Sequence, residues 1–120
     1  MSITKEEFFA IIDQPAIEKL VDYEGKTYRI RAMTEADGIE YELMIQKDGE
    51  WDIKKARRAM ICVMLLDNDG NRIVDDEARL KGMPRGLAGF LWDECQKLNG
   101  YRPGEVDDIV KKSEPVEGSN

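Results

Sequence analysis

The residues that could do chemistry in this sequence are carboxylates and two cysteines, because its 120 residues include no histidine. Histidine is the usual general base at neutral pH and a common metal ligand, so its absence excludes Ser/His and Cys/His nucleophile pairs. Closely spaced acids are abundant and include the pairs Glu6/Glu7, Glu40/Glu42, Asp75/Asp76 and Asp107/Asp108. Each pair lies at an expected helix cap or exposed face, whereas acid–base catalysis needs a carboxyl in an apolar pocket. We therefore predict no catalytic residues and no enzymatic activity.

The two cysteines belong to no metal-binding or redox motif. Cys62 and Cys95 are single residues inside apolar stretches, without CxxC spacing. Buried, reduced thiols are the simpler interpretation of such positions. A disulfide between the two residues is the alternative that the sequence leaves open.

The segment Asp67-Asn68-Asp69-Gly70-Asn71 has the composition of a turn and a superficial likeness to a calcium loop. With Gly70 at the glycine position of an EF-hand loop, the first ligand position would fall on Leu65 and the closing acid on Asp76 instead of a glutamate. The sequence also contains no Walker loop, dinucleotide fingerprint or zinc spacing. We expect a plain turn, no metal site and no cofactor.

The charge balance restricts the class of partner. The chain has 25 acids and 18 bases, for a net charge of -7, which argues against binding to nucleic acid. Apolar residues make up 42% of the chain, which is enough to form a core. The sequence contains no run of eighteen apolar residues, so it predicts no membrane-spanning segment. Acids follow Met1 too early for a secretion signal. These features predict a cytoplasmic protein with one globular domain over residues 1–112 and a disordered acidic tail over 113–120.

The N-terminal third predicts a short helix followed by a β-hairpin. Thr4 and Glu7 have the spacing of a capping box, and Pro15 ends the helix that they begin. Two runs with strand character, 17–23 and 26–33, flank Glu24-Gly25. On the polar face of this hairpin, we expect the acids to lie across from the arginines. The residues concerned are Glu18, Asp22, Arg29 and Arg31.

Two helices are predicted in the middle of the chain. Thr34 and Asp37 resemble another cap, and an apolar stripe of Ala36, Ile39 and Leu43 would form the inner face of the first helix. The second helix runs over 52–66. Its second half, from Met60 onward, is almost entirely apolar and so predicts the central helix of the core. A short strand at this place is the alternative assignment.

The C-terminal half adds further helices. Asp75 can cap a short helix through Leu80, and Pro84 begins a longer one that ends at Asn99-Gly100. The apolar face of that longer helix is formed by Leu87, Phe90, Leu91, Cys95 and Leu98. Pro103 begins a last amphipathic helix with Val106, Ile109 and Val110 on one side. The elements together predict an α+β fold, mainly α-helical, with an N-terminal β-hairpin.

A basic cluster is the main candidate for binding another protein. The segment 35–50 carries six acids and one lysine, and the cluster that follows it consists of Lys54, Lys55, Arg57 and Arg58. Neutralisation of the acidic helix within the chain is the simpler interpretation, and a partner-binding patch is the alternative. Trp51 and Tyr101 are further candidate contacts, since aromatic residues often anchor interfaces. The apolar side of the last helix, Val106, Ile109 and Val110, is another.

The order of several motifs resembles that of a known family. The hairpin ends in YRIRAMTEA at 28–36, ARRAM follows at 56–60 and LDNDG at 66–70, and LWDECQKLNG at 91–100 precedes a short acidic helix. In this succession, the chain resembles the tail assembly chaperones of long-tailed (siphovirus-type) bacteriophages and prophages. The resemblance covers about residues 16 to 112.

The resemblance implies a non-enzymatic protein that binds the tape measure protein, keeps it soluble, helps recruit tail-tube subunits and is absent from the mature virion. It also implies a longer, frameshift-extended form, for which Lys111-Lys112 is a candidate slippage site. Self-association is expected, through the hairpin edge and the last helix. The alternatives are a small structural virion protein, for head–tail joining or tail completion, and an acidic regulatory protein.

Overall fold

The computed structural model describes residues 2–100 of the chain. The helices are α1 (Lys5–Asp13), α2 (Glu35–Ile45), α3 (Ala56–Met64) and α4 (Arg85–Leu98), and the strands are β1 (Glu18–Tyr23), β2 (Lys26–Arg31), β3 (Gln46–Lys47), β4 (Glu50–Trp51) and β5 (Leu65–Leu66). Short 3-10 helices span Ile53–Lys55 and Glu77–Leu80. This is the predicted α+β fold, mainly helical with an N-terminal hairpin. The predicted last helix and the tail lie outside the described residues.

Both predicted capping boxes are confirmed. In the second, the Thr34 hydroxyl accepts a hydrogen bond from the Asp37 amide at 3.2 Å, and the Asp37 carboxylate accepts one from the Thr34 amide at 3.1 Å. Thr4 and Glu7 make the same reciprocal pair at the start of α1. Each box satisfies two amide groups that a helix leaves without partners at its N-terminus.

We predict that Thr34→Ala lowers the free energy of unfolding by about 1 kcal/mol, because the Asp37 amide loses its acceptor. In a domain of this size, the midpoint of thermal unfolding should fall by roughly 4 to 8 °C. The measurement is thermal unfolding followed by circular dichroism. Thr34→Ser keeps the acceptor and serves as the control, which should unfold close to wild type. Equal midpoints for the alanine and serine variants would contradict the role of the cap.

The hairpin closes through a turn with two residues in the left-handed region, Glu24 (φ 48°) and Gly25 (φ 79°). This geometry is that of a type I′ turn, whose twist matches the twist of the flanking strands. β1 and β2 pair antiparallel, and β5 adds to the other side of β2, so the sheet order is β1-β2-β5. β1 is therefore an edge strand among the described residues.

The predicted charge match across the hairpin is half correct. The Glu18 carboxylate forms an ion pair with Arg29, diagonally across the sheet. Asp22 lies opposite Thr27, and its carboxylate accepts a hydrogen bond from the threonine hydroxyl at 2.6 Å. The expected pairing of Asp22 with an arginine is wrong, because the register sets Asp22 at the turn end of the strands, away from both arginines.

α3 is the central element of the core, as predicted. Seven of its nine residues are buried, and it packs between α2, α4 and the 3-10 helix at Glu77–Leu80. The helix ends at Met64, two residues earlier than expected, because Leu65 and Leu66 form a strand. Leu65 lies opposite Ile30 of β2. The alternative strand assignment is thus correct for these two residues.

The inner face of α2 differs from the prediction. Tyr41 and Ile45 are buried against the core, whereas Ile39 is 48% and Leu43 64% exposed. The buried pair includes Tyr41, whose aromatic side chain is larger than those of the predicted stripe. Burying Tyr41 therefore removes more apolar area from water. The predicted stripe of Ala36, Ile39 and Leu43 therefore faces solvent.

Two short elements were not predicted in full. The segment 46–51, which follows α2, forms a second small hairpin of β3 and β4, with Asp48 and Gly49 in the left-handed region (φ 54° and 81°). The short helix before Leu80 is a 3-10 helix whose cap is Asp76, one residue later than expected. The Asp76 carboxylate accepts a hydrogen bond from the Ala78 amide at 3.0 Å.

Candidate protein-interaction surfaces

The predicted basic cluster lies where the 3-10 helix at Ile53–Lys55 joins α3. Arg58 turns inward and forms an ion pair with Glu77 at 2.7 Å, where the Glu77 residue is only 8% exposed. The Arg57 guanidinium lies 5.9 Å from the centre of the buried Trp92 ring, which is within range of a cation–π contact. Both arginines therefore also make contacts within the chain that stabilise the fold.

The acidic helix is not the partner of this cluster. Asp37 and Glu40 of α2 both form ion pairs with Arg72, at 3.1 Å for the Asp37 contact. The hydrogen bond from Arg72 to the Glu40 carboxylate raises the pKa of the guanidinium. Within residues 2–100, no carboxylate lies within ion-pair distance of Lys54 or Lys55. The expected neutralisation of α2 by the cluster is therefore wrong.

Part of the cluster belongs to a larger surface, which we call the cationic groove. It is a concavity of about 210 Å³ lined by residues of the 3-10 helix at Ile53–Lys55, of α3, of α4 and of the connection between α3 and α4. The five cations around it are Lys54, Arg57, Arg58, Lys81 and Arg85, and its apolar residues are Leu80, Met83 and Ala88. Lys81 and Arg85 could not be assigned to this surface from the sequence, because they lie more than twenty residues from the basic cluster along the chain.

Among the described residues, α1 carries more exposed large apolar side chains than any other helix or strand. None of its nine residues is buried. Four large side chains, each between 47% and 59% exposed, give it what we call the apolar face of α1, namely Phe8, Phe9, Ile11 and Ile12. A nine-residue helix is only marginally stable in water by itself, so packing against a partner would stabilise it. The sequence pattern predicted this helix, but nothing in it indicated that the described residues leave the face exposed.

A second exposed surface is the outer face of α2, formed by Glu35, Ile39, Glu42 and Leu43. Ile39, Glu42 and Leu43 follow Glu35 by four, seven and eight residues, and residues with this spacing lie on one side of a helix. All four residues are exposed. This surface therefore combines two acids and two large apolar side chains on one helix face.

The remaining predicted contact residues have different outcomes. Trp51 lies in β4 opposite Gln46 and packs partly against the core, so only part of its side chain is available to a partner. Tyr101, Val106, Ile109 and Val110 lie outside the described residues, where they stay predictions. Among the other candidates, Lys54 and Arg57 are exposed.

The two cysteines are free, buried thiols, which confirms the simpler interpretation. The Cys62 thiol donates to the Val74 carbonyl oxygen at 3.5 Å. Burial raises the pKa of Cys62, and it raises the pKa of Cys95 to about 12. Both thiols are held in the protonated, unreactive form at neutral pH.

We predict that neither thiol reacts with a soluble disulfide reagent at pH 8 in the folded protein, whereas both react in denaturant. The folded state holds the Cys95 proton more tightly than the unfolded state does. The corresponding stability is therefore complete below the ordinary thiol pKa of 9.0 and is lost as the pH rises toward about 12. Labelling followed by mass spectrometry checks this. Rapid labelling of Cys95 at pH 8 without unfolding would contradict the placement of α4.

The described residues offer little for other classes of site. Within residues 2–100, no three carboxylate or thiol side chains are grouped so as to hold a metal ion. In the same part of the chain, no helix combines the length and the apolar character needed to cross a membrane.

Comparison with known proteins gives no match, whether to a protein-family model, to a curated protein or to a solved structure.

Proposed function

We propose that this protein is a tail assembly chaperone of a long-tailed bacteriophage or prophage. In this role it binds the tape measure protein in the host cytoplasm, keeps that client soluble and helps recruit tail-tube subunits. The main support is the apolar face of α1, a helix on the surface with no buried residue and four half-exposed large side chains.

The apolar face of α1 fits a long, helical, aggregation-prone client. An amphipathic helix can pack along the apolar stripe of another helix, with contacts that recur every three or four residues. Full burial of a Phe or Ile side chain contributes roughly 1.5 to 3 kcal/mol, so covering a half-exposed one contributes about half as much. Four such side chains support a contact that is specific and still releases when the tail tube replaces the chaperone.

The charge of the chain supports the same role. The net charge of -7 keeps the protein and its complexes apart from one another and so opposes aggregation. Exposed apolar residues beyond α1, such as Ile39 and Leu43, would otherwise favour precipitation. A protein that presents apolar surface and stays in solution has the two properties that a chaperone for an insoluble client needs.

Co-expression tests the proposal. The full chain is expressed with the tape measure protein encoded near it, and the soluble fraction of that client is compared with expression of the client alone. We expect a large rise in soluble client and a complex that survives purification. A client that stays insoluble, together with this protein in purified virions, would overturn the proposal and favour the structural virion protein instead.

A further inference from the structure

Two charged surfaces of the described chain are opposite in sign, and both combine charge with apolar area. The cationic groove has five cations around three apolar residues. The outer face of α2 has two acids beside two large apolar side chains. From this complementarity we infer that the outer face of α2 in one copy of the protein binds in the cationic groove of a second copy.

Four of the five cations of the groove have no carboxylate partner among the described residues. Among residues 2–100, only Arg58 of the five forms an ion pair, with Glu77. Lys54, Arg57, Lys81 and Arg85 are exposed. A ligand that brings carboxylates into the groove therefore gains attraction without having to displace an existing partner.

Two of these cations lie at the start of a helix, where a positive charge is unfavourable. Arg57 lies in the first turn of α3 and Arg85 begins α4, where the helix dipole is positive and disfavours a cation. α4 begins without a side-chain cap and without an acid in its first turn. Grouping cations there costs a little stability in the isolated chain, and bound carboxylates would remove that cost.

Among the described residues, the outer face of α2 carries unpaired carboxylates, which the cations of the groove lack as partners. Glu35 and Glu42 form no ion pair among the described residues, in contrast to Asp37 and Glu40, which Arg72 holds. Ile39 and Leu43 lie on the same side of the helix between and beside these two acids. The carboxylates can meet the cations of the groove while the apolar side chains meet Leu80, Met83 and Ala88.

The occupant is a second copy because each chain carries both halves of the complementary pair. No ion pair joins the two surfaces within one described chain, so both stay available to a neighbour. The contact joins two different patches and uses neither the apolar face of α1 nor the client. Disproof of this contact would therefore leave the chaperone proposal unchanged, and disproof of the chaperone proposal would leave this contact unchanged.

The test is sedimentation of the full chain, without client, over a range of concentration and salt. We expect self-association that weakens as salt screens the contact. A groove variant carries Lys54→Glu, Arg57→Glu, Lys81→Glu and Arg85→Glu, and an α2 variant carries Glu35→Lys and Glu42→Lys. Each variant by itself should associate at least tenfold more weakly than wild type. Their equimolar mixture should recover association, because each reversed surface then meets its opposite.

Controls separate this contact from general charge effects and from misfolding. Asp13→Lys with Glu24→Lys changes the net charge by the same amount as the α2 variant and should associate like wild type. Acids at the start of α4 favour the helix, so the groove variant should fold, which circular dichroism checks. A monomeric wild-type protein at low salt, unchanged association in either variant, or a mixture that fails to recover would each overturn the inference.

Discussion

Replacing Phe8, Phe9, Ile11 and Ile12 together with glutamine is expected to reduce the soluble yield of co-expressed tape measure protein by at least tenfold. The reason is loss of the apolar face of α1, whose four side chains are about half exposed. A tenfold change corresponds to about 1.4 kcal/mol, less than the combined contribution of four such side chains to a contact. Glutamine is a good helix former, so α1 itself should persist. The measurement is the soluble fraction of client.

The same variant should leave the stability of the protein almost unchanged. Because none of the four residues is buried, each substitution should change the free energy of unfolding by less than about 0.5 kcal/mol. The matched control replaces three polar residues of the same helix with glutamine, as Lys5→Gln, Glu6→Gln and Asp13→Gln, and should keep the client soluble. Equal client yields for the apolar and the polar variant would show that α1 is not the contact.

Trp92→Ala should lower the free energy of unfolding by about 3 to 5 kcal/mol, the usual cost of removing a large buried aromatic side chain. Trp92 is 1% exposed and belongs to the core formed with α3. The substitution also removes the ring over which the Arg57 guanidinium lies. Denaturant unfolding measures the loss. A change below 1 kcal/mol would contradict the packing of α4 on α3.

Trp92→Phe is the informative companion to that variant. The Trp92 indole nitrogen is buried without a hydrogen-bond acceptor among the described residues. Phenylalanine removes this unsatisfied donor and keeps most of the apolar volume, so it should cost clearly less than alanine. A similar loss for both variants would mean that the full volume of the indole ring, and not the burial of an aromatic group, holds the two helices together.

Local signals in the sequence were sufficient to predict most of the elements. Thr4 and Thr34 begin helices because their hydroxyl groups satisfy nearby amides, and these contacts involve only residues three positions apart. The Glu24-Gly25 turn likewise defines the hairpin through two left-handed residues. The unbroken apolar run from Met60 predicted a helix buried on most sides, and it is buried.

The surfaces could not be predicted in the same way, because they depend on which helix faces the core. Periodicity placed Ile39 and Leu43 on one side of α2 but could not reveal that Tyr41 and Ile45 would be the buried pair. The cationic groove joins Lys54 to Arg85, which only the packing of α4 against α3 brings together. The ion pair between Arg58 and Glu77 also depends on packing, so it could not be predicted from the sequence.

The most direct test of the chaperone account is hydrogen exchange of the α1 backbone amides in the free protein and in its complex with the tape measure protein. If the apolar face of α1 is the client contact, exchange in residues 5–13 should slow markedly in the complex, while exchange in the α3 core stays slow in both states. A purified complex in which α1 exchanges as fast as in the free protein would contradict the account.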